Sequence, residues 1–555
     1  MIFMAERSLR IEAFRNIGFK DGKPWHERLV LNNSLKKGEL GDLLILIGAN
    51  NSGKSNVLDA LNIFCNGNIS ERDVTDLPFG DDCKKPTLTL FSRKDGDKED
   101  EFALTLEKGK NGYSIFPEAY HREYREVLSR YYSMTFGNSQ EPTPKSFINK
   151  KFEKIHDHEF FSKIIRYTNE PISRKDLNLD SKILKNPYSY NGKVAEYCFF
   201  EKLCHSVGVD IGTVENAYKK YEKTTDRGKL RRIDNEIRGL EDSINEKLQS
   251  ITSKKFNTLF HIKDGDSPYS FKVFLDRDGL GLSFSRGDNI VDLNYQSAGF
   301  RWFFNIFFNL LNTTELNAGD IIIMDEPAMN LHVKGQRELR AFLKEFAIQN
   351  DITIIVATHS PFLIDLDYLD ELRVVVNDGT VSHIVNNFAA VDPNAPDSLL
   401  PIKEALTVEN HLLVNPKEKV VFVQTMEEYC YLVAFKKLFG IKGISFLPVN
   451  FASADEEQCK IALKRIKEIR EDAFILVHDD DVGSTLKDLC KDSEFTVFTL
   501  GEIDKTFTTV ANLFADGEQI EGASTFKNFI HHEQDKVGEN TKANFRKVFD
   551  WIENC

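Results

Sequence analysis

At 555 residues the chain is too long for one hydrophobic core, so two or three domains are expected. With 41% hydrophobic and 28% charged residues it reads as a soluble globular protein, and its formal charge of −14 excludes a wholly basic nucleic-acid coat while leaving room for a local basic groove. No apolar window approaches the roughly 20 residues of a membrane span, and the opening MIFMAERSLRIEAF has no signal-peptide layout, so a cytoplasmic protein without a membrane partner is expected. None of the eight cysteines forms a C-x-x-C pair, which argues against zinc or redox chemistry and for reduced thiols.

In chain order, SLRIEAFRNI alternates like a strand, and LLILIGA (43–49) is a continuous apolar strand of the kind covered on both faces. It runs into GANNSGKS, Gly48 to Ser55, which fits G-x-x-x-x-G-K-[ST] in the strand–loop–helix context that motif needs. Gly48 and Gly53 let the backbone close around phosphates, Lys54 reaches the β- and γ-phosphates, and the Ser55 hydroxyl ligates Mg2+. Asn50, Asn51, Ser52 and Asn56 complete the expected ATP cradle. Arg10, Phe14 and Arg15 are the nearest candidates for the adenine side. Segments 86–94 and 100–116 look like strands of an antiparallel layer.

From 118 to 265 the pattern turns helical and charged. Residues 214–251 read as a long helix or a helical hairpin, with Ile233, Ile237, Leu240, Ile244 and Leu248 on one apolar stripe. Its cluster Arg227, Lys229, Arg231 and Arg232 suits the solvated face of an arm or dimer interface, or a DNA contact. FRWFFNIFFNLL (300–311) is a helix with a narrow polar stripe of Arg301, Asn305 and Asn309. Ser297 and Gly299 open that helix, where its N-terminus attracts phosphate. IIIMDEP ends a buried strand on two carboxylates: Asp325 for the Mg2+ shell and Glu326 to polarise the attacking water. IIVATHSPF ends a third strand at His359, placed to touch the γ-phosphate. After a linker, strands and helices alternate in a βαβ rhythm that implies a second, smaller α/β domain.

GANNSGKS, NYQSAGF, IIIMDEP and ATHS together resemble the ABC-type ATPases of the SMC kind, and LRIEAFRNI resembles that family's first strand. The resemblance covers roughly residues 5–385 and implies a head-to-head homodimer, or higher homo-oligomer, in which Ser297 and Gly299 of one copy close on the ATP of the other. The signature departs from the family at Ala298. The expected architecture is α/β: an ABC-type P-loop ATPase with an N-terminal lobe (1–117), a helical insertion or dimerisation arm (118–265), a C-terminal lobe (266–385), a linker (386–415) and a further α/β domain (416–555).

In that last domain VVFVQTMEE carries an apolar strand into an acidic turn, with Gln424 where a metal-binding carboxylate would make chemical sense. Gln424 and Glu428 share a face if a helix starts there. AFILVHDDDVGS ends on Asp479 and Asp481, which share one face of an extended segment and suit Mg2+ or Mn2+, while Asp480 turns away. Glu502, Asp504 and Lys542, the last ahead of an amphipathic helix, add what metal-assisted phosphodiester cleavage needs. The segment resembles a TOPRIM domain, and the order ATPase–linker–TOPRIM resembles the OLD family of ATP-dependent nucleases, which includes anti-phage effectors of the Gabija kind and of some retrons. Position by position, Gln424 stands at the family's first glutamate, Thr425 at its glycine and Glu428 at its second acid. Asp479 and Asp481 stand at its D-x-D and Lys542 at its late lysine.

The resemblance implies an ATP-regulated endonuclease of a defence system, with Glu428, Asp479, Asp481 and Glu502 as metal ligands and nucleic acid as its target. The alternative is a regulatory ATPase scaffold, similar to the Septu ATPase subunit. Its TOPRIM domain would be degenerate, and it would control a partner nuclease or a reverse transcriptase–msDNA complex. Intact Asp479, Asp481 and Lys542 favour the first; Gln424 favours the second.

Overall fold

The computed structural model describes residues 7–66, 87–119, 164–391 and 419–555, each with short breaks, together with Asp73 and Ile402. Segment 120–163 of the expected helical insertion and nearly all of the expected linker lie outside them. The chain forms two compact units. One comprises Met1–Tyr167, Ala318–Pro327 and Ala347–Cys555; the other comprises Thr168–Asn317 and Ala328–Phe346. No helix among the described residues is long and apolar enough to cross a membrane.

The first unit opens with β1 (Arg7–Glu12), β2 (Asp42–Ile47) and α1 (Lys54–Asn66). These are followed by β3 (Thr87–Arg93), β4 (Glu99–Gly109), β5 (Gly112–Ala119) and β6 (Ile164–Arg166). Strand β1 pairs antiparallel with β3, and β3, β4 and β5 continue the antiparallel layer that the sequence suggests for 86–116. The same unit resumes with β10 (Ile321–Asp325), β11 (Thr353–Ala357), β12 (Leu372–Asn377) and β13 (Ser382–Val385). A six-stranded sheet forms in the order β13-β12-β2-β11-β10-β6. It is parallel except for β13. Every residue of β2 and β11 is buried, as continuous apolar runs require when both faces are covered. Leu44, Leu46, Ile321, Ile323, Ile355 and Ala357 share one core cluster with Val57, Leu58 and Leu61 of α1, so the helix after the glycine loop is pinned to the sheet by its apolar face.

The same unit ends in a second α/β layer: β14 (Lys419–Val423), α5 (Met426–Phe439), β15 (Ile444–Pro448), β16 (Phe474–Val477), α7 (Asp481–Cys490), β17 (Thr496–Thr499) and α8 (Glu539–Asn554). Helix α6 (Glu456–Ile469) links β15 to β16. The four strands are parallel in the order β15-β14-β16-β17, the sheet that a βαβ rhythm implies. Helix α5 is well delimited. Thr425 and Glu428 form a reciprocal capping box at its start, and Gly440, at φ +65°, ends it.

In the second unit, β7 (Asn178–Asp180), β9 (Gly279–Arg286) and β8 (Tyr269–Leu275) pair antiparallel. Residues 214–251 resolve as a hairpin: α2 (Ile211–Glu222) and α3 (Arg227–Lys247) are separated where the Asp226 carboxylate caps α3 by accepting from Gly228 and Lys229 N–H. Ile233, Ile237 and Ile244 form its buried stripe, while Arg227, Lys229, Arg231 and Arg232 are exposed. Helix α4 (Ala298–Leu311) buries its phenylalanines against Phe256 and Phe271, with ring centroids 5.0 Å apart for Phe256–Phe307 and 5.2 Å for Phe271–Phe308.

Within the first unit the two parallel sheets are joined by residues 361–371, two short 3-10 turns between β11 and β12. Here Tyr429 of α5 donates its hydroxyl to the Leu366 carbonyl (2.7 Å) and accepts the Leu369 N–H (2.9 Å). Lys436 pairs with Asp367 at 2.7 Å, and the Lys437 ammonium lies 3.6 Å above the Tyr368 ring. Lys527, with no exposed side-chain surface, pairs with the buried Asp370. Burial works against the Lys527 charge, but Asp370 outweighs it and raises its pKa. A buried ion pair adds little net stability when whole, yet is costly to break, because the survivor is an uncompensated charge. Lys527→Met is therefore expected to destabilise this unit by about 3–5 kcal/mol. The Asp370→Leu, Lys527→Met double variant should recover most of that loss. Urea midpoints of the three proteins check this, and equal losses in single and double variants would contradict it.

Candidate functional site

The nucleotide edge is built from the carboxyl ends of β2, β11 and β10. Their ladder aligns Leu46 with Ala357 and Ala357 with Asp325, so the three strands end within one residue of one another. Gly48 follows β2 with φ +154°. A Cβ there would meet the Val375 carbonyl at 2.3 Å, so only glycine lets the loop turn so close to the sheet. Lys54 is buried and donates to the Gly48 and Ala49 carbonyls at 2.9 and 3.0 Å, curling the loop around its ammonium. Burial lowers its pKa, while the neighbouring Glu326 and Asp325 carboxylates act in the opposite direction. Asp325 and Ser55 are exposed at the ends of β10 and the start of α1. An acid and a hydroxyl open to solvent beside a phosphate loop fit Mg2+, which when bound would neutralise phosphate charge.

Glu326 sits at φ +45°, uncommon for a residue with a side chain, and its N–H donates to the Ala357 carbonyl at 2.9 Å. Its Oε1 lies 2.7 Å from His359 Nδ1, bringing together the two residues that the sequence assigned to catalysis at this edge. Ser297 caps α4 by accepting the Phe300 N–H at 3.1 Å, with Gly299 in the first turn. The Asn56 side chain is committed elsewhere: it donates to Asn16 and accepts from Arg15, leaving only its backbone for a phosphate. The adenine-side expectations are corrected in part. Phe14 is fully buried in the core, Arg15 is tied to Asp59 and Asp73 at 2.7 Å each, and Arg10 stacks 4.7 Å from the Phe91 ring.

At the second sheet, the ends of β14, β16 and β17 again meet, but in a different chemical state. Gln424 is buried and its side-chain oxygen accepts the His478 N–H at 3.1 Å. Glu428 Oε2 accepts from Gln424 and Thr425 N–H at 2.8 and 3.3 Å. Its Oε1 lies 2.5 Å from His478 Nε2, a charge contact without hydrogen-bond alignment. Asp479 and Asp481 do not share an extended face. Asp480 is the N-cap of α7, accepting the Gly483 N–H, and Asp481 is already the first helical residue. Asp480 is thus an exposed cap, 3.8 Å from His478 Nδ1. The Asp479 carboxylate lies over Gly501, where a Cβ would stand 2.2 Å from its Oδ2. Glu502 pairs with Lys487 at 2.6 Å, Asp504 with Lys547 at 2.8 Å, and Lys542 with Glu539 at 2.8 Å. Lys542 lies inside α8 rather than ahead of it.

Among the described residues, no three His, Cys, Asp or Glu converge as metal ligands. The donors do not fit a divalent cation as arranged: Glu428 faces an imidazole and two N–H groups, and Glu502 faces an ammonium. His478, 54 residues from Gln424 in sequence, is the residue that sequence reasoning missed, because nothing local marks it as Glu428's partner.

Burial disfavours the His478 imidazolium, but the Glu428 carboxylate, with Asp480 and Glu427, outweighs it and raises the pKa. The pair's contribution to stability is then fully present below the ordinary histidine value of about 6.5 and is lost as pH rises through the raised value in the folded protein. The thermal midpoint should therefore fall between about pH 6 and 9, and His478→Gln should flatten that slope. A slope unchanged in the variant would contradict the assignment.

Residues 43–365, more than half of the chain, match the family described as "AAA domain, putative AbiEii toxin, Type IV TA system". The chain is 27% identical over 121 residues to the energy-coupling factor transporter ATP-binding protein EcfA1 of Methanospirillum hungatei, covering 22% of this chain and 42% of that protein. It is 33% identical over 78 residues to an OLD nuclease of Thermus scotoductus, covering 14% of this chain and 15% of that protein. It thus spans less than half the length of either relative. Among solved structures, the SMC head domain from Thermotoga maritima aligns over 69% of this chain and 98% of its own, at 12% identity and a TM-score of 0.34. A Pyrococcus furiosus Smc head domain, bound to the C-terminal domain of ScpA, aligns over 69% of this chain and 96% of its own, at 14% identity and a TM-score of 0.36. With its phosphate loop and acidic strand end on one sheet edge, the chain belongs to the AAA-domain family matched over residues 43–365, with an α/β fold of the P-loop ATPase class.

Proposed function

We propose that the chain is a regulatory ATPase whose C-terminal α/β domain relays the nucleotide state to a partner effector, a separate nuclease of an anti-phage defence system, and does not itself cut nucleic acid. The observation that carries this reading is the Glu428–His478 pair. At the strand end where a cutting site needs bare carboxylates, the first position is an amide, Gln424, and the second carboxylate is already matched by an imidazole and two backbone N–H groups. The turns at 361–371 supply the relay: they begin two residues after His359 and end on the residues clamped by Tyr429 and Lys527. In the same reading the active form is a homodimer, with Ser297 and Gly299 closing on the ATP of a second copy. Lys54 and the loop amides bind the phosphates, and Glu326 takes the proton of the attacking water. Ser55 and Asp325 hold Mg2+.

A second reading, an ATP-regulated nuclease, is favoured by exposed Asp479 and Asp481 and by the short similarity to an OLD nuclease. Plasmid DNA incubated with the purified chain and Mg2+ or Mn2+, with and without ATP, separates the two. The proposal expects ATP hydrolysis that falls roughly 100-fold or more in Lys54→Ala, and no strand breaks. Strand breaks that vanish in the Asp479→Ala, Asp481→Ala double variant would overturn it.

A further inference from the structure

Thr358 lies inside the ATHS segment but was given no role there, yet it contacts the residue on which hydrolysis turns. It follows β11, has no exposed surface, and donates its N–H to the Leu46 carbonyl at 3.0 Å, which ties it to the strand entering the phosphate loop. Its hydroxyl accepts the Ser360 N–H at 3.0 Å and donates to Glu326 Oε2 at 3.0 Å. A hydroxyl has one proton to give. With Ser360 supplying a donor, that proton is directed at the carboxylate. The other oxygen, Oε1, faces His359. The two partners differ in freedom: the His359 side chain is 55% exposed, whereas Thr358 is enclosed. One oxygen of Glu326 is thus held by a fixed group and the other by a group with room to swing.

We propose that Thr358 is a positioning residue for ATP hydrolysis: its hydroxyl holds Glu326 Oε2, so that Oε1 alone is presented to the attacking water once His359 turns away. In that step the water oxygen bonds to the γ-phosphorus and its proton passes to Oε1. The bond from the γ-phosphorus to the bridging oxygen breaks, ADP leaves with the electron pair, and the proton is returned to phosphate. Without the Thr358 hydroxyl the carboxylate can rotate, and the oxygen facing the water is no longer defined.

This inference rests on the reading of Glu326 as the base, so Glu326→Gln is measured beside Thr358→Val and Thr358→Ser. A bond to a carboxylate is lost in Thr358→Val, and the expected fall in kcat is about 10- to 100-fold, with KM for ATP unchanged. Thr358→Ser, which keeps the hydroxyl, should stay near the parent. Single-turnover rates normalised to bound nucleotide count only folded protein, so loss of fold does not imitate loss of turnover. Thr358→Val at the parental rate, or Thr358→Ser falling with it, would overturn the positioning role. Glu326→Gln at the parental rate would remove the base assignment itself, whereas an inactive Glu326→Gln beside an active Thr358→Val would remove only the role of Thr358.

Discussion

The chemistry of the nucleotide edge depends on the register of three buried parallel strands. Because Leu46, Ala357 and Asp325 lie in one row, the groups that follow them emerge together: Gly48 one step past β2, Glu326 one step past β10, Thr358 and His359 directly past β11. A slip of one residue would turn each strand's side chains to the opposite face. Because these strands are apolar on both faces, the register is held by the polar groups at their ends rather than by burial alone. The bond from Thr358 N–H to Leu46 and that from Glu326 N–H to Ala357 extend the ladder beyond the strands and carry the register into Glu326 and Thr358.

The same sheet reaches the C-terminal domain through residues 361–371, and the contacts there are of a different kind. Tyr429 closes two backbone bonds, Arg373 lies fully buried donating to the Asp370 and Leu372 carbonyls, and Lys527 pairs directly with the buried Asp370. Burial lowers the Arg373 pKa to about 10, while Asp42, Asp370 and Glu371 offset part of that. Such polar contacts contribute less net stability than an apolar seam would, but they hold one geometry and penalise others. Tyr429 is the neighbour of Glu428, so the turns and the Gln424–Glu428–His478 cluster meet at the start of one helix.

Much of the fold was legible because it rests on local patterns. Continuous apolar runs gave β2, β10 and β11, the glycine loop gave the start of α1, and the spacing of Ile233, Ile237 and Ile244 gave the buried stripe of α3. What was not legible depends on partners distant in sequence. The Asp479–Asp481 spacing suggested a shared face, but Asp480 captures the Gly483 N–H and starts a helix one residue earlier than an extended D-x-D allows. Glu428 reads as a ligand until His478 is seen beside it. Nothing local marks Lys527 as half of a buried ion pair, because Asp370 is brought to it across 157 residues. Thr358 looks like a spacer before His359, because its role lies in a hydroxyl direction that no motif records. Phe14 and Arg15, adjacent to the phosphate loop in the fold, are consumed by the core and by Asp59 and Asp73.

The central claim is that nucleotide at the first sheet is felt at the second through residues 361–371. Amide hydrogen exchange of the Glu326→Gln protein, with and without a saturating non-hydrolysable ATP analogue, tests it most directly. The account predicts that nucleotide changes protection at 366–371 and at the start of α5 as well as at the phosphate loop, and that Tyr429→Phe with Lys527→Met abolishes the change in α5 only. A nucleotide-dependent change confined to the phosphate loop and the ends of β10 and β11 would contradict it.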